Sequence, residues 1–245
     1  MASKSRECVV KVEIWSDVVC PWCYVGKRQF EDALSRFGHA REVDVVWRSF
    51  ELDPTSPTLV GLPMSRILER KYGMTAEQAR AANERMTGLA ADVGLEFHLD
   101  DVQAGNTFDA HRLIHLAARY GLADAMKERL FAAYFTEGLS IGDQPTLTRL
   151  AVDVGLDADE VEATLHGDDF AADVREDEAT AASLGVSGVP FFVIDGTYGV
   201  SGAQPADVLL GAMERAWSES QVAAATSMVG PGATDTGCSD GVCER

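Results

Sequence analysis

The chain has 245 residues, enough for one large domain or for a domain carrying an insertion, and 46 % of them are hydrophobic, so neither metal nor disulfide is needed merely to build a core. The formal net charge of −18 is interrupted by no Lys/Arg cluster, which argues against nucleic-acid and anionic-membrane partners. The N-terminal segment lacks the apolar core of a signal peptide and no run is long enough to span a bilayer, so the expectation is a cytoplasmic protein, where paired cysteines serve redox chemistry or metal binding more often than structure.

In chain order, VVKVEIW at 9–15 alternates around Lys11 and Glu13 and predicts a strand. A helix follows from about Tyr24 to Phe37, stopped by Gly38, and VDVVWRSF at 43–50 predicts a second strand. This β-α-β order favours parallel pairing through a crossover helix. Prolines 54, 57 and 63 then break the pattern, and from about Met64 to Leu184 the apolar spacings of three and four predict helices. Strand signals return in VPFFVI at 189–194 and TYGVSG at 197–202, with Asp195-Gly196 between them as a hairpin turn. A last helix is expected from about Pro205 to Trp217, after which the composition shifts to that of a linker or tail. The result is an α/β chain of thioredoxin-like topology, 9–54 and 185–217, with an all-helical insertion at 55–184 between its halves and a tail at 218–245.

Four of the five cysteines fall into two short-range pairs, Cys20/Cys23 and Cys238/Cys243. Cys20 falls at the N-terminus of the first helix with Pro21 in the first turn, where the missing N–H costs nothing. Free backbone N–H groups and the helix dipole favour a thiolate there, which predicts a Cys20 pKa below that of a free thiol. Cys23, one turn further in, is placed to resolve a mixed disulfide formed at Cys20. The competing reading of the pair is half of a zinc site, completed by the tail cysteines. Trp22, between the pair, offers an apolar surface to unfolded substrates or packs against the insertion. Asp17, three residues before Cys20, suits proton transfer with the thiols or capping of the helix or loop. Cys8 reads as a lone structural cysteine.

CPWC, with a later Val189-Pro190, resembles the DsbA-like thiol–disulfide oxidoreductases, thioredoxin folds with a helical insertion. SDVVCPWCYVGK, NTFDAHRL and GVSGVPFFVI are similar to segments of the FrnE-type cytoplasmic branch, which is related to 2-hydroxychromene-2-carboxylate isomerases. The resemblance covers residues 9–217 and implies that Cys20 is the nucleophile, Cys23 the resolving thiol and Pro190 cis, with the Val189 backbone beside Cys20 to pair with an extended substrate. It also places the NTFDAHRL helix near the site, making Asn106 and His111 candidates; capping and core packing explain those residues equally well.

The tail pair, Cys238-Ser-Asp-Gly-Val-Cys243, reads as a second redox pair that exchanges electrons with the first, or as an incidental pair. A flexible chain from Trp217 to Cys238 would span about 25 Å, enough to reach the site of a body with a radius of gyration of roughly 17 Å. The leading expectation is thiol–disulfide exchange on protein substrates, with a separate recycling reductant or oxidant, no metal or bound cofactor, and glutathione as a candidate co-substrate. Glutathione-dependent isomerisation of small aromatic substrates and redox or metal sensing are the alternatives, the isomerase reading being weakened by the resolving thiol Cys23.

Overall fold

The computed structural model describes residues 10–58 and 62–228. Strand β1 (Val10–Ser16), helix α1 (Pro21–Arg36) and strand β2 (Val43–Ser49) form the expected β-α-β unit, with Val10 opposite Val43 and Ser16 opposite Ser49 in parallel register. Seven helices follow: α2 (Met64–Tyr72), α3 (Ala76–Ala91), α4 (Phe108–Ala118), α5 (Ala123–Phe135), α6 (Gln144–Asp153), α7 (Ala158–His166) and α8 (Ala171–Ser183). The chain then returns as β3 (Phe191–Ile194) and β4 (Tyr198–Ser201), antiparallel to each other, and ends in α9 (Ala206–Met228). The sheet order is β2-β1-β3-β4, with β3 antiparallel to β1.

Local chemistry explains the boundaries. The Asp195-Gly196 turn has both residues at positive φ, 50° and 63°, a geometry whose twist matches two flanking strands. Thr75 and Gln78 form a reciprocal capping box at the start of α3, and Asp143 and Asp157 cap α6 and α7 by accepting from backbone N–H groups. The last helix does not stop at Trp217. Ser218 to Met228 contain no glycine or proline and include three consecutive alanines, so helix propensity carries α9 on to Met228. The linker-like composition beyond 217 was an unreliable stop signal for that reason.

Val10, Val12 and Ile14 of β1 are buried on one face of the sheet, and Trp15, on the other, donates from Nε1 to the Asp177 carbonyl of α8 at 2.9 Å. One buried cluster runs from β1 and α1 into the insertion without a break. Its link is aromatic: Tyr24 of α1 stacks on Phe131 of α5 at 4.7 Å between ring centroids, and Phe97 stacks on Phe135 at 4.6 Å. Outside this stack, Tyr24 Oη donates to Glu128 Oε1 at 2.7 Å and buried Lys27 meets Glu128 at 3.0 Å. The insertion is thereby locked to the helix that carries the cysteines.

Helix α9 starts beside the cysteine end of the molecule and runs away from it. Gly202, shortly before α9, donates to the Pro190 carbonyl, and the Ala206 N–H donates to Gln29 Oε1 at 2.9 Å. Further along, Trp217 stacks on His39, past the end of α1, at 3.8 Å.

Candidate active site

The end of β1, the N-terminus of α1 and the loop before β3 converge on the first cysteine pair. Cys20 is the N-cap residue of α1, with Pro21 opening the helix. Its backbone N–H donates to the Asp17 carbonyl at 3.1 Å, and the Cys23 N–H donates to the Cys20 carbonyl at 3.0 Å. Both thiols are free and buried, 4 % and 1 % exposed. The Cys20 thiol donates to the Val189 carbonyl at 3.5 Å, and the Val189–Pro190 bond is cis. Pro190 is held against the helix by Gly26, whose absent side chain makes the approach feasible: a Cβ there would lie 2.8 Å from Pro190 Cγ.

The expected lowering of the Cys20 pKa is not met. Its thiol is pushed well above the usual cysteine range, first by its contact with the Cys23 sulfur, then by burial and by negative charge on that neighbour and on Asp17. The helix N-terminus favours the thiolate, but the second sulfur, the burial and the acid outweigh it.

Beneath the thiols lies a buried set of polar groups. His111 Nε2 and Asp17 Oδ1 stand 3.4 Å apart, each side chain 1 % exposed, and neither atom has a hydrogen bond among the described residues. Asp17 Oδ2 accepts from the Leu52 N–H at 2.7 Å, so Asp17 ties down the loop after β2 rather than capping α1. Burial pushes the His111 imidazole below its usual range. Burial alone would raise Asp17, but His111, the Leu52 N–H and the charge on Lys127 hold it below the ordinary carboxylate value.

Lys127 is the residue the sequence reading missed. It is fully buried, donates from Nζ to the Ser16 carbonyl at 3.0 Å, and sits over the Trp47 and Phe131 rings. Burial pushes its pKa down to about 8, against the opposing pull of negative charge on Cys23, Asp17 and Cys20. A signal existed: Lys127, Leu130, Phe131 and Tyr134 share the i, i+3, i+4, i+7 face of α5, so a lysine stands at a core position of an amphipathic helix.

Above the thiols opens a groove of about 470 Å³ whose walls include Cys20, Trp22, Leu52, Ile67, Tyr134 and Val189. Trp22 is 46 % exposed on its rim. Asn106 stands apart: it caps α4 by accepting from the Phe108 N–H at 2.9 Å and donates to Glu51 at 3.3 Å, while its neighbours Gly105 and Thr107 line the groove. Cys8, Cys238 and Cys243 lie outside the described residues. Among the described residues no cluster of three or more His, Cys, Asp or Glu is placed to hold a metal ion, and no helix is long and apolar enough to cross a membrane.

These features agree with the comparisons to known proteins. The chain is 32 % identical over 216 residues to the uncharacterized protein YwbO of Bacillus subtilis, covering 86 % of this chain and 98 % of that one. It is 48 % identical to a probable DsbA oxidoreductase from Streptomyces coelicolor, whose crystal structure superposes with a TM-score of 0.82 over 86 % of this chain and 91 % of the other. The cytosolic disulfide reductase DsbM of Pseudomonas aeruginosa shares the fold at 18 % identity, with a TM-score of 0.55 over 88 % of this chain and 99 % of DsbM. The profile of the DSBA-like thioredoxin domain matches residues 11–214, and the chain belongs to that family.

Proposed function

We propose that the protein is a cytoplasmic thiol–disulfide oxidoreductase acting on protein disulfides through Cys20 and Cys23. The observation that carries this reading is the Cys20 thiol in the wall of the groove, bonded to the Val189 carbonyl with Cys23 one turn behind it. An extended substrate that pairs its own N–H with the Val189 carbonyl takes the acceptor away from the Cys20 S–H. The proton then has no partner there, and ionisation of Cys20 becomes coupled to substrate binding. Lys127 favours that ionisation as a buried cation beneath the pair, and Asp17 opposes it.

The Cys20 thiolate attacks one sulfur of a substrate disulfide, forming a Cys20–substrate disulfide and releasing the other substrate sulfur as a thiolate. Cys23, giving up its proton, attacks the Cys20 sulfur and releases the second substrate thiolate. The substrate gains two electrons, and the protein holds a Cys20–Cys23 disulfide. Run backwards, the same steps oxidise a substrate dithiol. Glutathione or a dithiol protein would restore the starting state, and the Cys238/Cys243 pair would exchange electrons with the first pair.

Insulin reduction and refolding of scrambled ribonuclease test this reading. Wild type is expected to be active in at least one assay, Cys20→Ser inactive, and Cys23→Ser trapped as a mixed disulfide with substrate. The Cys238→Ser/Cys243→Ser variant assigns the tail: unchanged turnover and unchanged Cys20/Cys23 redox state would remove it from the scheme. An inactive wild type with titrated free thiols would refute protein-disulfide chemistry and redirect attention to glutathione-dependent conversion of small substrates.

A further inference from the structure

Helix α5 meets the cysteine site twice. Lys127 lies beneath the thiols, and Tyr134, two turns further along the same face, borders the groove together with Asp17, Cys20 and Val189. The Tyr134 side chain is 1 % exposed, and its ring meets Phe135 edge-on at 4.8 Å. A buried tyrosine hydroxyl normally has a hydrogen-bond partner. The Tyr134 hydroxyl has none among the described residues, yet it does not belong with the sealed-off polar atoms such as Asp17 Oδ1 and His111 Nε2. It therefore opens onto the groove that Tyr134 borders.

The neighbouring groups leave that hydroxyl available. Lys71 and Asp53, the ion pair on the groove, engage each other at 3.4 Å. Asp17 is a carboxylate and offers no proton. Burial and the charge on Asp17 hold the Tyr134 phenol well above its usual range, so it keeps its proton wherever the thiols react. Cys20 is not its acceptor: the thiol is bonded to the Val189 carbonyl, and no hydrogen bond joins it to Tyr134. In thiol–disulfide exchange the thiolate attacks one sulfur and the other departs in line, beyond the attacked atom as seen from the nucleophile. A donor in the groove wall that stands off from Cys20 is placed for that outer sulfur.

We propose that the Tyr134 hydroxyl is a catalytic hydrogen-bond donor to the substrate sulfur that departs when Cys20 attacks. The proposal rests on Cys20 being the nucleophile. As the Cys20–substrate bond forms, the substrate S–S bond breaks and its electron pair leaves with the outer sulfur. The Tyr134 O–H points its hydrogen at that sulfur while negative charge builds there and keeps the proton; the released thiolate takes one from water. A fixed donor in a partly desolvated wall acts on the transition state, where the charge appears, more than on the neutral disulfide.

The test varies the acidity of the departing thiol. One cysteine peptide is joined in a disulfide to ethanethiol, to trifluoroethanethiol or to thionitrobenzoate, and single-turnover release of the small thiol from each is measured with the full-length reduced protein. Tyr134→Phe, which keeps the ring and removes only the hydroxyl, should slow ethanethiol release about tenfold or more, the worth of one hydrogen bond to a charged group. The loss should shrink through trifluoroethanethiol to about twofold for thionitrobenzoate, whose charge is already delocalised. Alkylation of Cys20 by iodoacetamide, which involves no departing thiol, should stay within twofold. An equal loss with all three probes, no loss with ethanethiol, or a slowed alkylation would overturn the proposal, since a structural role or an effect on Cys20 itself produces those patterns. Wild type gives a second measure that needs no variant: its rates should fall less steeply with the pKa of the departing thiol than those of dithiothreitol with the same probes. Parallel slopes would overturn the donor. No reaction of wild type with any probe would instead refute the role of Cys20.

Discussion

Lys127→Met separates the stability of this protein from its chemistry. A lysine lowered from 10.5 to about 8 carries a penalty of about 3 kcal/mol on its charged form at neutral pH. Methionine of similar length removes that penalty but leaves the Ser16 carbonyl without its donor, at a cost of about 1–2 kcal/mol. The variant should therefore be more stable than wild type by about 1–2 kcal/mol at pH 7. Between pH 8 and 10.5 the folded lysine has released its proton while the unfolded one still holds it. The unfolded state binds more protons in that window, so wild-type stability rises with pH and the variant's does not. The two curves should cross, with wild type the more stable near pH 10.5. Urea denaturation in the Cys20–Cys23 disulfide form checks this without thiol titration. Alkylation of Cys20 in the reduced variant should be slower at pH 7, since the cation favouring its thiolate is gone. Parallel stability curves for the two proteins would refute the claim that Lys127 is held as a desolvated cation.

Gly26→Ala should lower stability by about 1–3 kcal/mol and slow thiol exchange, because its Cβ would displace Pro190 and with it the Val189 acceptor; chemical denaturation and insulin reduction report the two effects. Glu128 is held at about 2 by Arg28, Tyr24 and Lys27 against its own burial, so its ion pairs stabilise the fold above about pH 4.5 and fail as pH falls toward 2. Discounted for the partial exposure of that carboxylate, Glu128→Gln should cost about 1–2 kcal/mol at pH 7, the difference shrinking below pH 4.5 in thermal melts. His111, held below its usual pKa by burial, resists a proton that the unfolded chain accepts, so wild type should lose stability as pH drops below 6.5, and His111→Asn should lack that component in the same melts.

How much of this was legible in the sequence depends on the range of the signal. The strands, the Asp195-Gly196 turn and the helix opened by Cys20-Pro21 rest on local chemistry, and they appear where the pattern places them. The proximity of Val189 to Cys20 came from the family resemblance, because no spacing rule joins residues so far apart in the chain. The Cys20 pKa differs from expectation for a related reason: the helix terminus and the second cysteine are visible in the sequence, whereas the close contact of the two sulfurs and the desolvating core are properties of the packed state. Lys127 shows the opposite case, a legible signal passed over, because a charge on an apolar helical face was averaged into the helix that carries it.

The direction of α9 bears on the tail cysteines. The helix spans 23 residues, about 35 Å of rise, and leads away from the Cys20 end. From Met228 to Cys238 there are ten residues, at most about 35 Å of contour. The 21-residue reach counted from Trp217 is thus halved, and what is left starts at the end of α9 that lies away from Cys20. While α9 keeps its length, the contour from Met228 to Cys238 is no longer than α9 itself. Cys243, five residues further on, has up to about 50 Å of contour from Met228, so of the two tail cysteines it is the one with the greater reach toward Cys20.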